Sequence, residues 1–119
     1  MPEKLTLVNV EAAGPVALIY ATFPGMEVAE RIGGELVEAR LAACVNLIPG
    51  MRSIYRWQGA THRDQEVVAI VKTRTGLAPR VMGWIRIAHP YANPALIVLP
   101  VSNGSADFLA WIAAETSEA

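Results

Sequence analysis

Apolar and polar positions change period several times along the chain, and each change predicts an element. "LTLVNV" near the start fits a short strand, closed by Gly14-Pro15. Residues 16–23, "VALIYATF", form a continuous apolar run that reads as a buried central strand. From Met26 the spacing lengthens: Val28, Ile32, Leu36 and Ala39 recur at helical intervals, with Glu27, Glu30, Arg31, Glu35 and Glu38 between them. That pattern predicts a helix over 26–42. Gly33-Gly34 lowers its propensity by about 1 kcal/mol per residue relative to Ala. Two such small residues let a helix approach a sheet closely.

Residues 43–57, "ACVNLIPGMRSIYRW", return to a strand pattern, broken at Pro49-Gly50. Proline donates no ladder hydrogen bond and glycine tolerates unusual dihedrals, so a bulge or bend is expected there. Beyond the break Met51, Ser53, Tyr55 and Trp57 share one face, and Arg52, Ile54 and Arg56 share the other. Residues 58–65, "QGATHRDQ", read as a polar hairpin tip, and 66–74, "EVVAIVKTR", as a buried strand antiparallel to the one before. A second helix carries Leu77, Val81, Trp84, Ile85 and Ala88 on one face, with Pro79 in its first turn and His89-Pro90 ending it. Residues 95–101, "ALIVLPV", predict a further strand and "SNGS" a turn. Ser105 is a candidate N-cap for a short helix marked by Asp107, Phe108, Trp111, Ile112 and Glu115.

The order β-α-β-β-α-β with a terminal helix predicts an α+β, ferredoxin-like sandwich in one domain over 1–119, with 1–15 as an N-terminal extension. Two helices cover only one face of such a sheet. Composition sharpens the point. Hydrophobic residues make up 53% of the 119 residues and mean hydropathy is +0.33, rich for a chain with so much surface to cover. A partner subunit on the open face is therefore expected.

Net charge is -1, which excludes a bulk attraction to nucleic acid. Residues 52–86 nevertheless hold seven basic side chains against Asp64 and Glu66, a local balance of +5. Such asymmetry points to an anion site, to complementary surfaces in an oligomer, or simply to solvated arginines. One cysteine excludes an intrachain disulfide. "MPEKLTLVNVEAAG" is not a secretory signal, and no apolar run approaches the roughly 20 residues of a membrane helix. The expectation is a cytoplasmic protein without a membrane partner.

Candidate chemistry is sparse. Cys44 reads as a small packed hydrophobe, with a soft-metal ligand or activated nucleophile as the sharper alternatives. His89 closes a helix, and reads either as a locally bonded end residue or as a metal ligand or base beside Tyr91. His62 falls in the hairpin tip. A closed metal site takes about four ligands, which one Cys and two His do not supply alone. A site shared between subunits would draw on Cys44, His89, Tyr91, Glu66 and Asp64. Tyr55, Trp57 and Met51 are the expected interface residues, Trp57 foremost, since aromatic side chains are enriched at interfaces. No phosphate loop, metalloprotease motif or nucleophile elbow is present. No catalytic residue is assigned and no cofactor is required.

"ARLAACVNLIPGMRSIYRWQG", "EVVAIVKTR", "AHPYANPALIVLPV" and "DFLAWI", taken in order, resemble the CutA family of divalent-cation tolerance proteins over about residues 16–114. The resemblance implies a ferredoxin-like protomer in a tight, PII-like homotrimer whose long hairpins wrap neighbouring subunits. It also implies a non-enzymatic role in the response to metal ions, with copper or another divalent metal as ligand. Three positions depart from the family's usual pattern: Ala92, Ala95 and Gln58 stand where acidic residues are usual. The first fifteen residues are also longer than is usual for the family. Two other functions remain as alternatives. One is a PII-like signalling trimer binding a small anion or nucleotide between subunits. The other is a small isomerase using His89 with Tyr91 or Cys44.

Overall fold

The apolar run at 16–23 lies at the centre of the fold in the computed structural model, which describes residues 7–9 and 15–116. The elements are β1 (Leu7–Asn9), β2 (Val16–Phe23), α1 (Met26–Glu38), β3 (Cys44–Trp57), β4 (Ala60–Arg74), α2 (Ala78–Ala88), β5 (Leu96–Pro100), β6 (Asn103–Ser105) and α3 (Ala106–Glu115). A short 3-10 turn, Thr75–Leu77, leads into α2. The main sheet runs β3-β4-β2-β5, antiparallel throughout, as the ferredoxin-like reading predicts.

Alternation along β2 and β4 sets the core. Ile19, Ala21 and Phe23 pair with Val71, Ala69 and Val67, and all six are buried in one cluster with Ile32 and Leu36 of α1 and Val81 and Ile85 of α2. Each such aliphatic or aromatic side chain contributes about 1.5–3 kcal/mol on burial. Gly33 lets α1 sit close to the sheet, since a Cβ there would meet Val45 Cγ1 at 3.2 Å.

α1 stops at Glu38, four residues before the 26–42 expectation. Arg40 adopts φ 61°, its N–H reaches Val37 O at 3.0 Å, and the N–H of Leu41 returns to Leu36 O at 3.0 Å. That is a Schellman end with arginine where glycine is usual. Leu41 and Ala42 continue the apolar pattern because they are buried beyond the helix end.

Two turns shape the long hairpin. Ile48 faces Val68 and Met51 faces Glu66, so β3 carries one extra residue at Pro49-Gly50, where Gly50 has φ 80°. The expected bulge is there. The hairpin tip is shorter than the 58–65 expectation. Only Gln58 (φ 51°) and Gly59 (φ 81°) turn, and Trp57 pairs with Ala60. Both positive φ values give a two-residue type I′ turn, matched to strand twist. Residues 60–65 are strand, made polar by their exposure rather than by being a loop.

"SNGS" is likewise not simply a turn: β6 pairs antiparallel with β1 in a two-stranded ribbon. The rest of the "LTLVNV" expectation and Gly14 lie outside the described residues. Ser105 is the N-cap of α3 but makes no side-chain capping bond. α3 closes one end of the sheet face away from α1 and α2, packing Leu109 and Ile112 on Val16. Arginines hold its C-terminal end: Arg74 Nη2 donates to Thr116 O at 2.6 Å and Arg40 Nη2 to Ala114 O at 3.0 Å. Cations are favoured where helix carbonyls lack intrahelical partners. The rest of that face stays open, with Ile48, Ile97 and Leu99 exposed by 51%, 54% and 43%. Among the described residues no helix is long and apolar enough to cross a membrane.

Candidate functional site

The outer part of the hairpin and the loop after α2 enclose a cleft of about 870 Å³. Its walls include Tyr20, Tyr55, Trp57, Tyr91, Glu66 and Ala92. Their placement follows from register. The I′ turn sets Ser53 opposite Asp64 and Met51 opposite Glu66, so both carboxylates lie on the face that carries Tyr55 and Trp57.

Four side chains meet there as two phenol–carboxylate pairs. Tyr55 Oη donates to Asp64 Oδ2 in a short hydrogen bond. Tyr91 Oη lies 3.4 Å from Glu66 Oε2, the second such contact. The hydrogen bond to Asp64, then burial and neighbouring negative charge, push the Tyr55 phenol up to about 12. Burial and Glu66 raise Tyr91 as well. Both phenols therefore keep their protons at neutral pH and act as donors, and the formal charge of the quartet belongs to the two carboxylates.

His89 holds the loop from behind. It is 7% exposed and stacks on Phe23, with centroids 4.8 Å apart and planes 17° from parallel. Nε2 lies 2.7 Å from Thr22 O, and a carbonyl only accepts, so Nε2 carries the hydrogen. Nδ1 then accepts the N–H of Tyr91 at 3.0 Å. Both ring nitrogens are engaged, which leaves His89 no lone pair for a metal in this arrangement. Its observable role is to set the Tyr91 backbone at the cleft wall.

The expected site residues thus divide. Glu66, Tyr91 and Asp64 come together. Cys44 does not join them: it sits half-buried at the start of β3, opposite Lys72, four pairs along the ladder from Ile48↔Val68. Lys72 extends over the Phe108 ring of α3, Nζ 5.2 Å from its centroid. His62, expected in a tip loop, lies within β4, half-buried and stacked on Tyr55 at 5.4 Å. Met51 accepts from Tyr20 Oη at 3.7 Å, and Tyr55 and Trp57 remain 41% and 43% exposed. Tyr55 was legible in the sequence only as an interface residue. The signal that finds its pairing is Gln58-Gly59, because a two-residue turn fixes the register that brings Tyr55 diagonally to Asp64.

A metal would find a short donor set. Among the described residues no group of three or more His, Cys, Asp or Glu could hold an ion. Two carboxylate oxygens suit a hard, hydrated divalent cation, which draws its remaining ligands from water or another chain. A thiolate–imidazole site for soft copper is not formed within one protomer.

Comparison with known proteins gives a consistent pattern. The sequence profile of the family described as CutA1 divalent ion tolerance protein matches residues 17–115. A divalent-cation tolerance protein CutA of Thermus thermophilus is 43% identical over 83% of this chain and 96% of its own length. Protein CutA of Homo sapiens is 42% identical over 83% of this chain, which spans only 55% of the human protein. The solved structure of CutA from Synechococcus elongatus superposes with TM-score 0.88 at 31% identity, covering 95% of this chain and 97% of that one.

Proposed function

The chain belongs to the CutA1 divalent ion tolerance family, and on that premise we propose that it is a non-enzymatic homotrimer of the metal-ion response that binds a divalent cation, copper among them, in the cleft. The observation that carries this reading is the pair of carboxylates, Asp64 and Glu66, set on one face beside Tyr55 and Tyr91. Glu66 is the first proposed ligand, with Asp64 and the Tyr91 hydroxyl beside it. Cys44 lies outside the cleft at the start of β3 and His89 has both ring nitrogens bonded to backbone groups, so neither is a ligand in this reading. The open sheet face and the outward Met51, Tyr55 and Trp57 supply the surfaces for trimer contact, and a cytoplasmic setting fits the lone thiol.

Equilibrium dialysis of tag-free protein against Cu(II), Cu(I) and Zn(II) tests the metal reading. Saturable uptake lost in Glu66→Gln supports it, and no uptake at tens of micromolar sinks it. Sedimentation at low micromolar concentration tests the assembly separately, where a monomer defeats the trimer. The anion or nucleotide alternative rests on the arginines of the hairpin. It is weaker on charge: Arg56 lines the cleft, but so does Glu66, and Asp64 is bonded to the cleft-lining Tyr55, so two carboxylates face one guanidinium. An isomerase is weaker still, since His89 has both nitrogens committed to backbone groups.

A further inference from the structure

The β1–β6 ribbon carries chemistry of its own, away from the cleft. β6 opens with Asn103-Gly104, and Asn103 is exposed. An asparagine side chain loses ammonia when the next residue's amide nitrogen attacks its carbonyl carbon and closes a five-membered ring. A bulky next residue obstructs that attack, whereas glycine has no Cβ to obstruct it. The chain has four asparagines, followed by Val10, Leu47, Pro94 and Gly104. Val10 is β-branched, Leu47 lies inside the long ladder of β3, and Pro94 has no N–H. Only Asn103 has an unobstructed neighbour. Packing keeps the glycine there: a Cβ on Gly104 would meet Leu109 Cδ2 at 3.1 Å and Cγ at 3.2 Å, and Leu109 is buried against Val16. The strand around it is also lightly held. β6 is three residues long and pairs with the three-residue β1, outside the main sheet. Ring closure requires Asn103 to leave its extended backbone, and short exposed strands open locally at small cost.

We propose that Asn103 is a modification site of the folded protein: it deamidates through attack by the Gly104 nitrogen, and the product alters the ribbon that leads into α3. The Gly104 nitrogen gives up its proton and bonds to Asn103 Cγ, and the side-chain nitrogen leaves with a proton as ammonia. Water then opens the ring. Cleavage of the new bond leaves an aspartate at 103, and cleavage of the original peptide bond leaves an isoaspartate, linked to Gly104 through Cγ. No oxidant or reductant takes part. Either product adds a negative charge two residues ahead of Ser105, the N-cap of α3, which makes no side-chain capping bond. A helix N-terminus favours such a charge. The aspartate product keeps the ribbon register. The isoaspartate product adds a backbone atom, so the pairs Asn9↔Asn103 and Val8↔Gly104 no longer hold together. That form is also the chemical class of substrate taken by isoaspartate carboxyl methyltransferases.

The test ages the full chain, in its native assembly, in warm and mildly alkaline buffer and follows tryptic digests by tandem mass spectrometry. No Lys or Arg follows Arg86, so one peptide, residues 87–119, carries both Asn93 and Asn103, and Asn93 is its internal control. Fragments containing position 103 should gain one mass unit, and those containing Asn93 alone should not. Conversion at 103 should outrun that at Asn46 by at least an order of magnitude, since only Asn103 precedes a residue without a Cβ. The rate should rise with pH, because the attacking nitrogen must lose its proton. Aged protein should accept methyl groups from S-adenosylmethionine in the presence of an isoaspartate methyltransferase, and aged Asn103→Gln should stay at background. The isoaspartate fraction should melt below Asn103→Asp, which carries the charge without the extra backbone atom. The chain unfolded in urea, aged in parallel, sets the upper rate. An intact position 103 in the folded protein, after the unfolded chain has converted, overturns the proposal. So does equal conversion at Asn46 or Asn93. Equal melting of the isoaspartate fraction and Asn103→Asp overturns the stated effect on the ribbon.

Discussion

β3 and β4 each do two different things along their length. On the near side of Pro49-Gly50 they belong to the body of the sheet: Val67, Ala69 and Val71 are buried against the helices, and Val45 and Leu47 pack on the same cluster. On the far side the same strands leave the helices behind. There Tyr55, Trp57 and Ile54 are exposed by 41%, 43% and 64% while carboxylates and phenols gather on one face. The bulge is the boundary. It keeps the two halves in one continuous ladder yet changes what the side chains meet. Stability and function are thus separated along a single hairpin, and substitutions on its two sides should have different signatures.

The largest effect is expected in the body. Phe23→Ala removes a fully buried ring that packs on His89 and should lower unfolding free energy by about 3–5 kcal/mol in urea titration. It should also release the loop that His89 ties down. A loss below 1 kcal/mol would mean that the body does not carry the fold. Glu66→Gln, in the outer half, should do the reverse. Cation uptake should fall about tenfold, roughly 1.4 kcal/mol in binding, with melting temperature essentially unchanged. Coupled loss of both would erase the distinction between the halves.

The adjacent glycines of α1 give a smaller contrast. Gly34 is exposed with open space around its Cβ position, so Gly34→Ala should stabilise by up to about 1 kcal/mol through helix propensity. Gly33→Ala should gain less or lose, since its Cβ would press on Val45 at 3.2 Å. Equal gains at both positions would show that close approach of α1 to the sheet is not required.

The smallest effect lies in the quartet. Tyr55 ionises at about 12 in the fold against 10.0 ordinarily. Between those values the folded state holds a proton that the unfolded state has released. Its contribution is therefore fully present below pH 10 and is lost as pH rises toward 12. Ultraviolet titration should show Tyr55 and Tyr91 ionising late, with the step near 12 absent in Tyr55→Phe. If all tyrosines titrate together near pH 10, the Tyr55–Asp64 contact is not formed in solution.

The body was legible in the sequence because its two periods are clean. Apolar runs at 16–23 and 66–71 and the helical spacing at 28, 32 and 36 leave little choice of element. The outer half was not. Residues 60–65 are polar because they leave the core, and polarity without a buried face carries no period. The β1–β6 ribbon joins segments almost a chain length apart, and three-residue strands are too short to show alternation. At the site, Glu66 and Tyr91 could be named singly, but their meeting depends on the loop after α2 folding back onto β4. His89 misled for a similar reason: a histidine ending a helix resembles a ligand until its partners, Thr22 O and the Tyr91 N–H, are in view.

The account turns on where a bound cation goes. Anomalous scattering at the copper absorption edge, from crystals soaked in Cu(II), locates it without reference to affinity. The account predicts a peak at the cleft wall beside the carboxylates of Asp64 and Glu66. A peak at Cys44 or His89 instead, or none at all in crystals that retain copper in solution assays, would contradict it.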